Sequence, residues 1–124
     1  MAEGENASLS RQVLSQDQRR ALLVLGSLFL RMGLFARARK VFAALIALEP
    51  TDVLARRCLA AAHLGMGEGE QALEQLEQAM GRQPLPSRDA GLYLLKARAL
   101  CLSGRPDEAK NAVNAWIAAG GQRQ

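Results

Sequence analysis

One pattern, spread over Leu22 to Pro50 and then repeated, constrains this chain more than any other feature of it. It reads Leu22-x2-Leu25-Gly26-x2-Phe29, then Gly33, then Ala38-x3-Phe42, then Pro50. Apolar residues three and four apart line one face of a helix. A glycine just past the periodic stretch, and a proline beyond the next, mark where helices stop. The unit is therefore two helices joined by a tight turn. It recurs at a period of about 34 residues, within the range of stacked repeat architectures. Gly33, Ala38, Phe42 and Pro50 return as Gly67, Ala72, Leu76 and Pro84. A third copy fits once Leu85-Pro86-Ser87 is set aside as a loop insertion. Gly104, Ala109, Val113 and Trp116 then take the places of Gly67, Ala72, Leu76 and Ala79. A single helix pair cannot bury its own apolar faces, so such units stack on one another.

These residues resemble the tetratricopeptide repeat, in which an aromatic, Leu-Gly, an aromatic, Ala-x3-Phe and Pro follow in this order. Leu22 and Phe29 stand where that repeat commonly has Trp and Tyr. The resemblance implies an all-α fold. Three helix-turn-helix repeats, at about residues 19–52, 53–86 and 90–119, would form a short right-handed superhelix within a domain spanning 16–119.

Composition agrees with that reading. The chain has 124 residues, the size of one domain. Its apolar content is mostly Ala and Leu, which suits close helix–helix packing, and β-branched residues are few, which argues against a sheet. The net charge is +4, with 13 Arg against 3 Lys, and it is unevenly placed. Bases dominate from Arg11 to Arg57, whereas Cys58 to Gly81 holds Glu68, Glu70, Glu74 and Glu77 and no Arg or Lys. The basic half lacks the continuous stripe and stacking aromatics of a nucleic-acid surface. Binding there would weaken steeply with salt. Cys58 and Cys101, the only cysteines, lie in apolar helical stretches outside any C-x-x-C pair. They read as small reduced thiols, which favours a reducing compartment. Ala21–Leu30 after Arg19-Arg20, followed by Ala36-Arg37-Ala38, has the layout of a secretory signal. The repeat pattern runs through the supposed cut, so that reading is set aside. The apolar run is also too short to span a membrane.

In chain order, residues 1–15 are expected to be a flexible segment, although Leu9, Val13 and Leu14 could form a leading turn over the first repeat. Ser15 with Gln18 is a capping box for a helix ending near Met32. Its partner spans Phe35–Leu48. Pro50 ends that helix and Thr51-Asp52 caps the next pair, Val53–Leu64 and Gly69–Met80. The glycine-rich turn Gly65–Gly69 is expected to be the least rigid one. Glu70, Glu74 and Glu77 read as a solvated face. Pro84 and Pro86 precede a third pair, Arg88–Leu102 and Pro106–Ala118, with Pro106, Asp107 and Glu108 suited to a first helical turn. Residues 120–124 are expected to fray.

Nothing in the chain suggests catalysis. His63, the only histidine, falls where the repeat places a core aromatic, and reads as a packed side chain. No nucleophile–base set, metal-ligand cluster or phosphate loop is recognisable, and no cofactor or metal is expected. Function therefore points to surfaces. The resemblance implies that the first helix of each pair lines a concave groove. In register, that groove would hold Arg20, Leu23, Ser27, Leu30 and Arg31, then Leu54, Arg57, Cys58, Ala61 and Leu64, then Leu94, Leu95, Arg98, Cys101 and Leu102. This is an apolar trough with arginines along it, fit for an apolar segment whose acids meet Arg20, Arg57 and Arg98. A register shifted by one would instead place the leucines in the core. Domains of this kind that clamp a chaperone's terminal carboxylate need Lys and Asn where this chain has Leu23 and Ser27, so that class is disfavoured. No polar capping helix closes the last repeat. Val113, Trp116 and Ile117 would then be exposed to a partner or a second copy, giving a homodimer, unless Trp116 folds back on its own pair.

With the repeats placed, the chain resembles the small tetratricopeptide chaperones of bacterial type III secretion, most nearly the YscY type. Leu22–Gly33 and Leu48–Cys58 carry the likeness. The resemblance implies a cytoplasmic, non-enzymatic chaperone. Its partner would be a small secreted protein of the YscX type or another type III substrate, with the pair recruited to the export gate at the inner membrane. No nucleic acid and no direct membrane insertion are expected. Translocator chaperones, needle-subunit chaperones and a generic tetratricopeptide adaptor remain alternatives of the same fold.

Overall fold

The computed structural model describes residues 15–81 and 83–120. They form six α-helices: α1 (Gln16–Arg31), α2 (Phe35–Leu48), α3 (Val53–Gly65), α4 (Gly69–Met80), α5 (Gly91–Leu102) and α6 (Pro106–Ala118). Among the described residues there is no strand, and the one other helical element is a 3-10 turn at Ser87–Asp89. The expected leading turn at Leu9–Leu14 and the tail beyond Gly120 lie outside the described residues.

The helices pair in chain order as antiparallel hairpins. Each hairpin turn passes through one glycine in the left-handed region, at Gly33, Gly67 and Gly104, with φ of 74°, 73° and 72°. The equality shows that the three repeats share one turn geometry. It also places the third repeat where the offset in the sequence puts it. Ser15 and Gln18 make the expected capping box: the Ser15 hydroxyl accepts the Gln18 N–H at 3.1 Å, and Gln18 Oε1 accepts the Ser15 N–H at 2.9 Å. Asp52 caps α3 by accepting the Ala55 N–H at 3.0 Å.

Packing is organised by α3, which is covered on two sides. Ala55, Leu59 and Ala62 join Ala38, Phe42 and Leu45 of α2 in one apolar cluster. Ala60 and Leu64, on another side of α3, join Ala72, Leu73 and Leu76 of α4 and Leu92, Tyr93 and Leu100 of α5 in a second. Phe42 is fully buried, and its ring lies directly on Gly26 of α1. A Cβ there would come 2.5 Å from Phe42 Cζ, so only glycine admits the ring.

One expectation needs correction. The first helix of the third repeat begins at Gly91, not at Arg88. Leu85 is buried, and its N–H donates to the Tyr93 hydroxyl at 2.9 Å. That bond folds the insertion down against the core, and Ser87–Asp89 form a 3-10 turn instead of a first helical turn. The glycines of Gly65–Gly69 also answer to close packing. Gly65 lies under the Phe35 ring, and Gly69 faces the Ala99 carbonyl and Ser103 of the next repeat. Two of the three are there for close approach.

Gly26→Ala should therefore destabilise the fold by about 1–3 kcal/mol through overpacking against Phe42. Gly91→Ala, whose Cβ would meet only the Arg57 guanidinium at 3.6 Å, should be neutral or stabilising by up to about 1 kcal/mol. Urea unfolding followed by circular dichroism distinguishes them. Equal effects would contradict the close-approach role of Gly26.

Candidate partner-binding groove

The first helices form one wall, with α1 touching α3 and α3 touching α5. Each has a side against its partner helix and a side against the neighbouring repeat. The remaining side faces away from both. Of the residues expected in the groove, Arg20, Arg31, Leu54, Arg57, Leu94, Arg98, Cys101 and Leu102 are exposed, and Leu23, Ser27, Leu30, Cys58 and Ala61 are half-buried. Leu54, Leu94 and Leu102 remain 46%, 39% and 48% exposed, large values for leucines in a packed repeat. A shallow depression of about 290 Å³ on α1 is lined by Leu23, Val24, Ser27, Leu28 and Arg31.

Leu64 does not belong to this wall. It is buried among Leu73, Leu76 and Leu100, because at the end of α3 the helix turns that side toward α4 and α5. Leu95 likewise packs against the second cluster, and Leu23, Leu30 and Cys58 pack against the cluster around Phe42. Of the trough leucines, Leu54, Leu94 and Leu102 are the ones left exposed.

The first helices are basic, and among the second helices α2 is basic too, with Arg37, Arg39 and Lys40 and no acid. α1, α3 and α5 carry seven Arg and Lys against a single acid, Asp17. Arg19 and Arg56 are engaged structurally. Arg19 grips Asp52 with two bonds, Nε to Oδ2 at 2.8 Å and Nη2 to Oδ1 at 3.0 Å. Arg56 donates to the Pro50 carbonyl and to Gln75 Oε1. Arg20, Arg31, Arg57 and Arg98 pair with no acid among the described residues. The acids Glu70, Glu74 and Glu77 sit instead on α4, a second helix. Burial pushes the Cys58 thiol up from its ordinary value, whereas Cys101 is exposed. His63 is half-buried where a core aromatic was expected, with Nδ1 2.9 Å from Glu68 Oε1. Among the described residues no group of three His, Cys, Asp or Glu is placed to hold a metal.

At the end of the stack Trp116 folds back and packs on the second cluster. Val113 and Ile117 are left exposed. A stripe that the groove register did not include appears at the other end: Val24, Leu25, Leu28 and Met32 of α1 are all exposed. The repeat itself signals it. The residues one period later, Cys58, Leu59 and Ala62, are covered by the preceding helix pair, and α1 has no such pair before it among the described residues.

Comparison with known proteins agrees with this geometry. Two tetratricopeptide-repeat family models match residues 19–62 and 63–124. The chaperone protein YscY of Yersinia enterocolitica and that of Yersinia pestis are each 33% identical to this chain over 104 residues, covering 84% of it and 89% of themselves. This chain belongs to the tetratricopeptide-repeat family and, within it, to the YscY family. The match to this YscY-family chain spans nearly all of those relatives. No described helix of it is long and apolar enough to cross a membrane.

The Arg19–Asp52 bridge ties α1 to the start of α3 and so sets the spacing of the wall. Arg19's guanidinium holds the Asp52 carboxyl below the usual aspartate range, and the Ala55 N–H adds to the effect. A depressed folded-state value stabilises the fold above the unfolded value, near pH 4. That stabilisation fades as pH falls through the folded value. Asp52→Asn keeps a helix cap but loses the ion pair. It should cost about 1–3 kcal/mol at pH 7, with the gap to wild type closing below about pH 4. Thermal unfolding of both proteins at the two pH values reads this out, and a gap independent of pH would refute the ionic contribution.

Proposed function

We propose that this chain is a cytoplasmic, non-enzymatic chaperone of type III secretion. It holds a small secreted partner of the YscX type against the wall formed by α1, α3 and α5, and the loaded pair is handed to the export gate at the inner membrane. The observation that carries the reading is the exposure of Leu54, Leu94 and Leu102 between unpaired arginines on one continuous side of the stack. Apolar side chains gathered on a wet face mark an interaction surface. The arginines select what enters: a segment with apolar anchors flanked by carboxylates, which guanidinium groups bind in paired hydrogen bonds. Burying such a segment removes its apolar surface from water at about 25 cal/mol per Å². It would thereby keep an aggregation-prone partner soluble until export. Membership of the YscY family supports the chaperone role.

The test is co-purification from the native host at moderate salt, with the wild-type chain and with a Leu54→Glu/Leu94→Glu variant. Both leucines are exposed, so helicity should survive the changes. The wild type should carry one small partner in stoichiometric amount. The variant should lose it by at least about tenfold, a penalty of roughly 1.4 kcal/mol. Partner recovered equally with both proteins would place binding elsewhere, and the groove reading would fall. Recovery of a component from an unrelated assembly would favour the generic adaptor.

A further inference from the structure

Repeat register makes two clefts equivalent, and only one of them is filled. The first lies where α3 meets α2 and α4, the second where α5 meets α4 and α6. In the first, Arg56 reaches Gln75 Oε1 at 2.9 Å and the Pro50 carbonyl, and His63 meets Glu68 at 2.9 Å. In the second, Ala112 stands at the place of Gln75, Leu100 at that of His63, and Lys96 at that of the buried Leu59. A cleft of about 290 Å³ is left open there. We propose that it binds a small zwitterion of the α-amino-acid class.

The charges that line the cleft decide the ligand. Arg105 and Glu108 satisfy each other through two hydrogen bonds. Lys96 and Glu77 line the same cleft, and neither forms an ion pair, with the other or with any described residue. Lys96 is half-buried, at a position where the two earlier repeats have Leu25 and Leu59. Two bases against two acids leave this lining neutral overall, which favours neither a simple anion nor a simple cation. A carboxylate beside Lys96 and an ammonium beside Glu77 would complete both pairs.

A second observation points the same way. Tyr93 lines the cleft and is only 3% exposed. Its hydroxyl accepts the Leu85 N–H at 2.9 Å and donates to no described residue. Buried donors are seldom left unused. Tyr93 and Lys96 are three apart on α5 and share a helix face, so the hydroxyl and the ammonium can act on one carboxylate. Leu100, Ala112 and Ala115 supply apolar surface for the ligand's side chain. The volume is at the small end of ligand sites and suits a single amino acid. None of these residues belongs to the wall of first helices, so the site is independent of the groove.

The test is a titration of the isotope-labelled full chain with L-leucine, read by amide chemical shifts. The amides of Ala112 and Ala115 should shift and saturate, with a Kd of about 1 mM or below. L-leucinamide, which lacks the carboxylate, and 4-methylpentanoate, which lacks the ammonium, should each bind at least about tenfold more weakly. Lys96→Met should weaken leucine binding by the same factor. Ala115→Gln, which restores the side chain found at the equivalent Gln78, should block it. Leu54→Glu/Leu94→Glu should bind leucine like the wild type, and circular dichroism checks that each variant is folded. Three results would overturn the proposal: no saturating shift up to the solubility of leucine, a singly charged analogue that binds as tightly as leucine, or binding unchanged in both Lys96→Met and Ala115→Gln.

Discussion

A helix pair of this kind has more apolar surface than its own two helices can cover, and α3 shows the solution. One side of it is sealed by Phe42 and Leu45 from the preceding pair, another by Leu73, Leu76 and Leu100 from its own and the following pair. Everything else depends on those seals forming at the right spacing. Phe42 can lie on α1 only because Gly26 has no side chain in its way. The Arg19–Asp52 bridge then holds α1 against the start of α3. With α3 fixed from both sides, α1, α3 and α5 line up and the wall between them follows.

That wall is a product of helix geometry before it is a binding site. A first helix gives one side to its partner and one to the neighbouring repeat, and the 3.6-residue period leaves a third side free. What the sequence places there is unusual: leucines at Leu54, Leu94 and Leu102, with Arg57 and Arg98 between them and few acids to neutralise the arginines. Leaving those arginines without acids costs little in fold stability, since surface pairs contribute little. It gives the wall a field that attracts carboxylates.

Much of this was legible in the sequence because each marker has a physical cause. Gly33, Gly67 and Gly104 announce left-handed turns. Ser15 and Asp52 announce caps, and Ala38-x3-Phe42 announces the sealed face. Five helix starts follow from these markers. The sixth, at Gly91, did not, because the Leu85–Tyr93 hydrogen bond that reshapes the insertion is a contact across a loop and has no local signature. The exposure of Leu54, Arg57, Leu94 and Arg98 was readable from register alone. Leu64 was not, since at the end of a helix one residue decides whether a side chain faces the next helix or water. The exposed stripe on α1 was readable in principle: the repeat register predicts it once the first pair is recognised as having nothing before it among the described residues.

The central claim is that a partner lies along the wall of first helices, and Cys101 offers the most direct reading of it. Cys101 is exposed beside Arg98 and Leu102, whereas burial raises the thiol of half-buried Cys58 and slows its reaction. The measurement is the rate of iodoacetamide alkylation at each cysteine, by mass spectrometry, for the chain alone and saturated with the co-purified partner. The account predicts rapid alkylation of Cys101 in the free chain and protection of at least several-fold in the complex. Alkylation of Cys101 at the same rate in both states would contradict it.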